Sequence, residues 1–212
     1  MSTVALIDYG SGNLRSAEKA LLKAAFTLKS PPTITVTADP DVVAKADRLV
    51  LPGVGAFAAC MGLLKASDGL VAAITEATQT RGAPFLGVCV GMQLLADSGL
   101  EFGVTPGLGW IPGQVRRLEP RDPAAKVPHM GWNTVRPASP LFAGLGFAPH
   151  MYFTHSFAFD PADPGDIAAT CDHGGPFVAA VARDNVMGVQ FHPEKSQGAG
   201  QRLLANFLEL AL

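Results

Sequence analysis

Cys89 stands in the spacing Gly87-x-Cys89-x-Gly91, where an apolar run from Pro84 to Val88 meets a string of helix formers, Val90 to Ala96. A thiol at such a strand-to-helix elbow is held in a strained backbone conformation, and glycines two positions to either side remove Cβ atoms that would collide there. The positive end of the following helix favours thiolate over thiol and aims backbone N–H groups at developing negative charge. Cys89 is therefore a candidate nucleophile. A buried structural cysteine between packing glycines would have the same pattern, so the decision rests on whether the chain supplies a general base.

It does so near the other end, where Phe191-His192-Pro193-Glu194 closes an apolar run that begins at Met187. Residues two apart in an extended chain point to one side, and proline between them is expected to hold the extended form. Glu194 can then accept from one ring nitrogen of His192 while the other takes a proton from Cys89, the nucleophile, base and orienter of a catalytic triad. A surface His-Pro-Glu turn would explain the tripeptide alone; its place at a strand end, in a chain with a cysteine elbow, favours the triad. His129, His150 and His173 have no nucleophile-like neighbour and read as structural or surface residues. No group of His, Cys, Asp and Glu has metal-ligand spacing, so neither metal nor other cofactor is expected.

These groups need a scaffold, and 212 residues, 48% hydrophobic and 16% charged, suffice for one sizeable core, read as a single domain over residues 1–212. Gly and Pro are spread through the chain and mark no linker. A net charge of −2 without a Lys/Arg cluster argues against nucleic acid and anionic membranes and leaves small molecules or proteins as partners. The first residues, Met1 to Asp8, carry no basic leader, no stretch approaches a membrane span, and the odd, low count of Cys60, Cys89 and Cys171 suits reduced thiols in the cytoplasm.

Residues 4–8 read as a buried strand and 14–25 as a helix with apolar residues at helical spacing. Gly10-x-Gly12 between them invites a dinucleotide reading, but Arg15 stands where the third glycine belongs, which favours a tight loop facing a site or partner. Strands at 34–36 and 48–51, helical patterns at 57–66 and 70–80, and the elbow strand continue the alternation, which implies a mostly parallel sheet covered on both faces. Right-handed crossovers place the segment 53–55 and Cys89 together at the C-terminal strand ends. After residue 100 short β segments follow at 109–118, 132–135, 152–159, 177–183 and 187–192, a partly antiparallel meander on one side of the sheet, and an amphipathic helix over 197–212 closes the chain.

Gly87-Val88-Cys89-Val90-Gly91-Met92-Gln93 together with Phe191-His192-Pro193-Glu194 resembles the class I (triad) glutamine amidotransferases. Asp8-Tyr9-Gly10-x-Gly12-Asn13-Leu14, Pro52-Gly53-Val54-Gly55-Ala56-Phe57, Pro128-His129-Met130-Gly131-Trp132-Asn133, Tyr152-Phe153-x-His155-Ser156 and His192-Pro193-Glu194-Lys195-Ser196 are similar, within that class, to the glutaminase subunits of imidazole glycerol phosphate synthase. The similarity runs in order along nearly the whole chain.

The resemblance implies a flavodoxin-like α/β fold with a small antiparallel meander, L-glutamine as substrate, and a heterodimer with a (β/α)8-barrel cyclase subunit that receives ammonia in histidine biosynthesis. It implies that Cys89 attacks the glutamine amide to form a thioester, that His192 moves the proton and that Glu194 orients His192. Backbone N–H groups of Val54 and Val90 would hold the oxyanion, with the first flanked by Gly53 and Gly55 at the substrate. Gln93 and Glu101 would bind the amino-acid head, the backbone around His155 and Ser156 would close over it, and Asn13, Met130, Trp132, Asn133 and Lys195 would face the partner. Thr154 and Phe157 depart from the usual valine and tyrosine, which matters little if contacts there run through the backbone. Two rival readings are a silent glutamine-binding scaffold and a cysteine hydrolase of peptides or γ-glutamyl conjugates.

Overall fold

The computed structural model describes residues 2–210. Its first half alternates strand and helix. β1 (Thr3–Ile7) leads to α1 (Leu14–Ala25), followed by β2 (Thr33–Thr37), α2 (Pro40–Lys45), β3 (Arg48–Gly53), α3 (Phe57–Ala66) and α4 (Leu70–Thr75). A π-helical turn over Glu76–Thr80 extends α4 before β4 (Phe85–Cys89), which breaks into α5 (Val90–Gln93). β1, β3 and β4 are near-continuous apolar runs because both their faces are covered, and Leu6, Ile7, Leu49, Leu51, Phe85 and Leu86 are fully buried. On α1, Ala20, Leu21, Ala24 and Ala25 form the buried stripe that helical spacing requires.

The second half is strand-rich: β5 (Ser98–Gly99), β6 (Thr105–Pro106), β7 (Gly113–Arg117), β8 (His129–Pro137), β9 (His150–His155), β10 (Phe157–Pro161), β11 (Ile167–Asp172), β12 (Pro176–Arg183) and β13 (Val186–Val189), then α6 (Gln197–Glu209). One nine-stranded sheet has the order β2-β1-β3-β4-β13-β12-β11-β8-β9, and a four-stranded sheet the order β10-β7-β5-β6. The antiparallel strands are hydrogen-bonded into the main sheet, with β13 as the seam, parallel to β4 and antiparallel to β12. That register sets Val189 beside Val88, while β3 sets Gly53 beside Cys89. The ends of β3, β4 and β13 therefore converge on one point.

Several boundaries differ from those expected. The helix after Cys89 stops at Gln93 because the carbonyls of Leu94, Leu95 and Ala96 accept from Leu108, Trp110 and Gly109 N–H groups in a loop that wraps beneath it. Residues 152–159 split into β9 and β10, in different sheets, at Ser156, whose carbonyl accepts from Leu118 N–H. β11 was not foreseen; it lies between β8 and β12. α6 buries Leu203, Leu204, Phe207 and Leu208, and residues 211 and 212 of the expected closing helix lie outside the described residues. Among the described residues no single helix is long and apolar enough to cross a membrane.

Candidate active site

Cys89 ends β4 at φ 55° and ψ −113°, outside the regions that ordinary side chains favour. A Cβ on Gly87 would collide with the Gly91 carbonyl oxygen, and one on Gly91 with the Leu51 carbonyl oxygen, so the two glycines let the elbow pack against itself and against β3. The helix that follows has only 4 residues, too few aligned peptides for the macrodipole expected of it. What remains is the N–H groups of its first turn, which have no acceptor within the helix.

His192 Nδ1 lies 2.8 Å from Glu194 Oε1, with both side chains buried. A carboxylate can only accept, so Nδ1 carries the proton and Nε2 is left for Cys89. Pro193–Lys195 form a 3₁₀ turn, so Glu194 reaches back across a turn and not along the extended segment expected. Burial pulls the His192 pKa down, but hydrogen bonding to Cys89 and Glu194 outweighs it and the net value is pushed up to about 9. The His192 ring is thus held in its protonated form at neutral pH. Ser196 secures the turn: its hydroxyl donates to the His192 carbonyl at 2.6 Å and accepts from Tyr152 N–H at 3.0 Å.

Cys89 and His192 open into a cleft of about 220 Å³ that also takes in Val54, Gly55, Val90, Gln93, Glu101, His155, Ser156 and Lys195. Gly53 lies instead on a second, apolar cavity of only about 20 Å³ on the far side of the triad, with Asn13, Val54, Val88, His192 and Glu194. Val54 N–H donates to Ser11 Oγ at 3.1 Å, and Gly55 beside it has φ +113°. Gln93 spends its amide N–H groups inside the protein, on the Phe157 carbonyl at 3.0 Å and on Gln190 Oε1 at 2.9 Å, so toward a ligand it has only its own oxygen to offer. Glu101 accepts from Phe57 N–H at 2.8 Å, capping α3 with one oxygen at the rim of the cleft. His155 is buried, donates from Nδ1 to the Phe157 carbonyl and accepts from His129 Nδ1 at 3.0 Å. Among the described residues no group of three or more His, Cys, Asp and Glu side chains could hold a metal ion.

The family model for "Glutamine amidotransferase class-I" matches residues 5–211. This chain belongs to that family. It is 64% identical over 211 residues to the "Imidazole glycerol phosphate synthase subunit HisH" of Caulobacter vibrioides, covering 99% of each chain. The subunits of the same name from Rhodospirillum rubrum and Zymomonas mobilis are each 56% identical, the alignments covering 98% of this chain and 99% and 96% of theirs. A solved "glutamine amidotransferase" superposes with a TM-score of 0.72 over 97% of each chain at 19% identity, a likeness of fold.

In this amidotransferase Met130 and Trp132 are exposed, at 63% and 46%, on one side of β8 near the triad turn; Trp132 is not a core aromatic. Its ring meets Tyr152 edge-on, and Lys195 Nζ sits 5.7 Å from the centre of the Tyr152 ring. Asn13 is exposed ahead of α1. Asn133 does not join Met130 and Trp132: strand alternation puts it on the opposite side, where its amide donates to the Asp172 carbonyl at 2.8 Å and to His129 Nε2 at 3.2 Å. Sequence reasoning missed Ser11, Gln190, Ser196 and the His129–His155 pair. Gln190 had a local signal, a polar residue inside the apolar run 186–191 and two positions before the base; the others had none.

Proposed function

We propose that this chain is the glutaminase subunit of an imidazole glycerol phosphate synthase, hydrolysing L-glutamine to L-glutamate and ammonia in histidine biosynthesis in the cytoplasm and delivering the ammonia to a (β/α)8-barrel cyclase subunit. The observation that carries the reading is the His192–Glu194 pair at 2.8 Å, set against a cysteine in strained elbow geometry. The Cys89 thiolate attacks the side-chain carbonyl carbon of glutamine, and the negative charge moves to the oxygen. Collapse of that intermediate breaks the C–N bond, His192 gives its proton to the departing nitrogen, and a γ-glutamyl thioester remains. Neutral His192 then takes a proton from water, which attacks the thioester; glutamate leaves and the sulfur returns to thiolate.

The oxyanion requires donors, and the proposal assigns Val90 N–H and, after rotation of its peptide, Val54 N–H to them. The present engagement of Val54 N–H by Ser11 supports a resting state in which that hole is incomplete. Glu101 is the carboxylate for the glutamine ammonium, Gln93 accepts through its oxygen, and the backbone at His155 and Ser156 closes the site. Gly53 and Gly55 give the Val54 peptide room to turn. Asn13 on the far cavity, with Met130, Trp132 and Lys195 beside the triad turn, is assigned to the cyclase, while Asn133 supports β8 from behind. The deciding experiment measures ammonia from glutamine for the chain alone and with the cyclase, beside a peptide and a γ-glutamyl conjugate. Glutamine-specific release raised by the cyclase is the expected result; preferential cleavage of either other substrate, or no release from any, refutes the reading.

A further inference from the structure

The Gln190 side chain is completely buried directly after β13, where the pairing of β13 with β4 lays it alongside Cys89. Its Nε2 lies 3.7 Å from the Cys89 sulfur, a normal N–H···S separation, and its Oε1 is 2.9 Å from Gln93 Nε2. The orientation of both amides follows from one carbonyl. Phe157 O can only accept, so the group that Gln93 turns toward it at 3.0 Å is its NH₂; the second Gln93 N–H then points to an oxygen of Gln190, and the Gln190 NH₂ is left facing the sulfur. No flip of either amide preserves all three contacts.

We infer that Gln190 is a further catalytic residue: its side-chain amide donates to the Cys89 sulfur and steadies the thiolate before attack and as the thioester breaks. The need is physical. Cys89 is 5% exposed, so a charged sulfur is poorly solvated by water, and His192 supplies a donor from only one direction. A sulfur anion in that setting gains from a second, fixed donor, and hydrogen bonds to charged groups are about twice as strong as neutral ones. Gln93 and Phe157 act through Gln190 as positioning residues, holding its amide in register. The inference rests on Cys89 being the nucleophile.

The test is the pH dependence of Cys89 alkylation by iodoacetamide in the complete chain, followed on the Cys89 peptide because Cys60 and Cys171 are also free thiols. Gln190→Leu removes the donor at similar volume. Its alkylation profile is expected to move to higher pH by about one unit, with kcat for glutamine reduced on the order of tenfold and KM little changed. An unmoved profile overturns the inference, because a merely structural glutamine would alter the melting temperature and not the thiolate. Should Gln190→Leu fail to fold, the unaltered protein decides: the Gln190 side-chain amide resonances must move with the same pH midpoint as Cys89 alkylation, and resonances indifferent to Cys89 ionisation overturn the inference. Glutamine turnover by Cys89→Ala is measured alongside. Retained turnover there removes the nucleophile assignment, whereas an indifferent Gln190 with a dead Cys89→Ala removes only the inference.

Discussion

The Ser11 hydroxyl and the Val54 peptide hold each other from both ends: Val54 N–H donates to Ser11 Oγ at 3.1 Å, and Ser11 Oγ donates back to the Val54 carbonyl at 2.9 Å. Cys60 Sγ, 3.3 Å from the hydroxyl, backs the contact. The N–H that the proposal assigns to the oxyanion is thereby engaged by one side chain. Ser11→Ala removes both bonds, each worth about 1 kcal/mol. Glutamine turnover without the cyclase is expected to rise roughly fivefold to thirtyfold, with the cyclase-bound rate nearly unchanged. An unaltered basal rate would show that something other than Ser11 holds the peptide.

Cys89→Ala should abolish glutamine turnover while leaving the melting temperature close to that of the parent, since it removes one atom from an elbow built for small residues. Glu194→Gln keeps nucleophile and base but weakens the hold on the Nδ1–H tautomer, and kcat should fall by about a hundredfold. Equal losses from the two substitutions would mean that Glu194 does more than orient.

Glu101 both lines the cleft and caps α3 through Phe57 N–H, so its two roles must be separated. Glu101→Ala should raise the glutamine KM and also cost about 1 kcal/mol of stability through the lost cap. Glu101→Gln keeps an acceptor for Phe57 N–H but loses the charge, so KM should rise with little change in melting temperature. A KM unaffected by either would confine Glu101 to capping.

Stability should peak near pH 6.5. Burial pushes His129 down to about 4 and His155 down to about 3, so between those values and about 6.5 the unfolded chain binds more protons and stability rises with pH. His192, up at about 9, has the opposite sign: its contribution is complete below about 6.5 and is lost as pH climbs through 9. Melting temperatures measured from pH 4 to 9.5 check both limbs, and a value still climbing from 7 to 9 contradicts the His192 assignment.

Trp132→Ala and Lys195→Ala should each lower the cyclase-stimulated rate by about tenfold or more while sparing the slow basal rate of the chain alone, because both side chains stand on the exposed face beside the triad turn. Stimulation and cyclase affinity unaffected by both would move the interface elsewhere.

Local pattern was enough for most of the parallel half, though it missed α2 and overran the helix after Cys89. The helix over 14–25 agrees with α1 because apolar spacing and the flanking loop are written within a dozen residues, and the Cys89 elbow was legible because only glycine fits at 87 and 91. The His-Pro-Glu turn was legible as a composition, though not as a turn. What needed tertiary structure was every pairing between distant segments. β11 carries no strong strand pattern, and its place is given by neighbours on both sides. Gln190 meets Cys89 across 101 positions of sequence, and Ser11 meets Val54 across 43. Asn133 looked like a neighbour of Trp132 by number, but the alternation of a regular strand sends it to the other face. Side-chain type and local period select an element and nominate a nucleophile; which polar groups end up facing that nucleophile depends on sheet order and register, and those are decided by the packing of the whole chain.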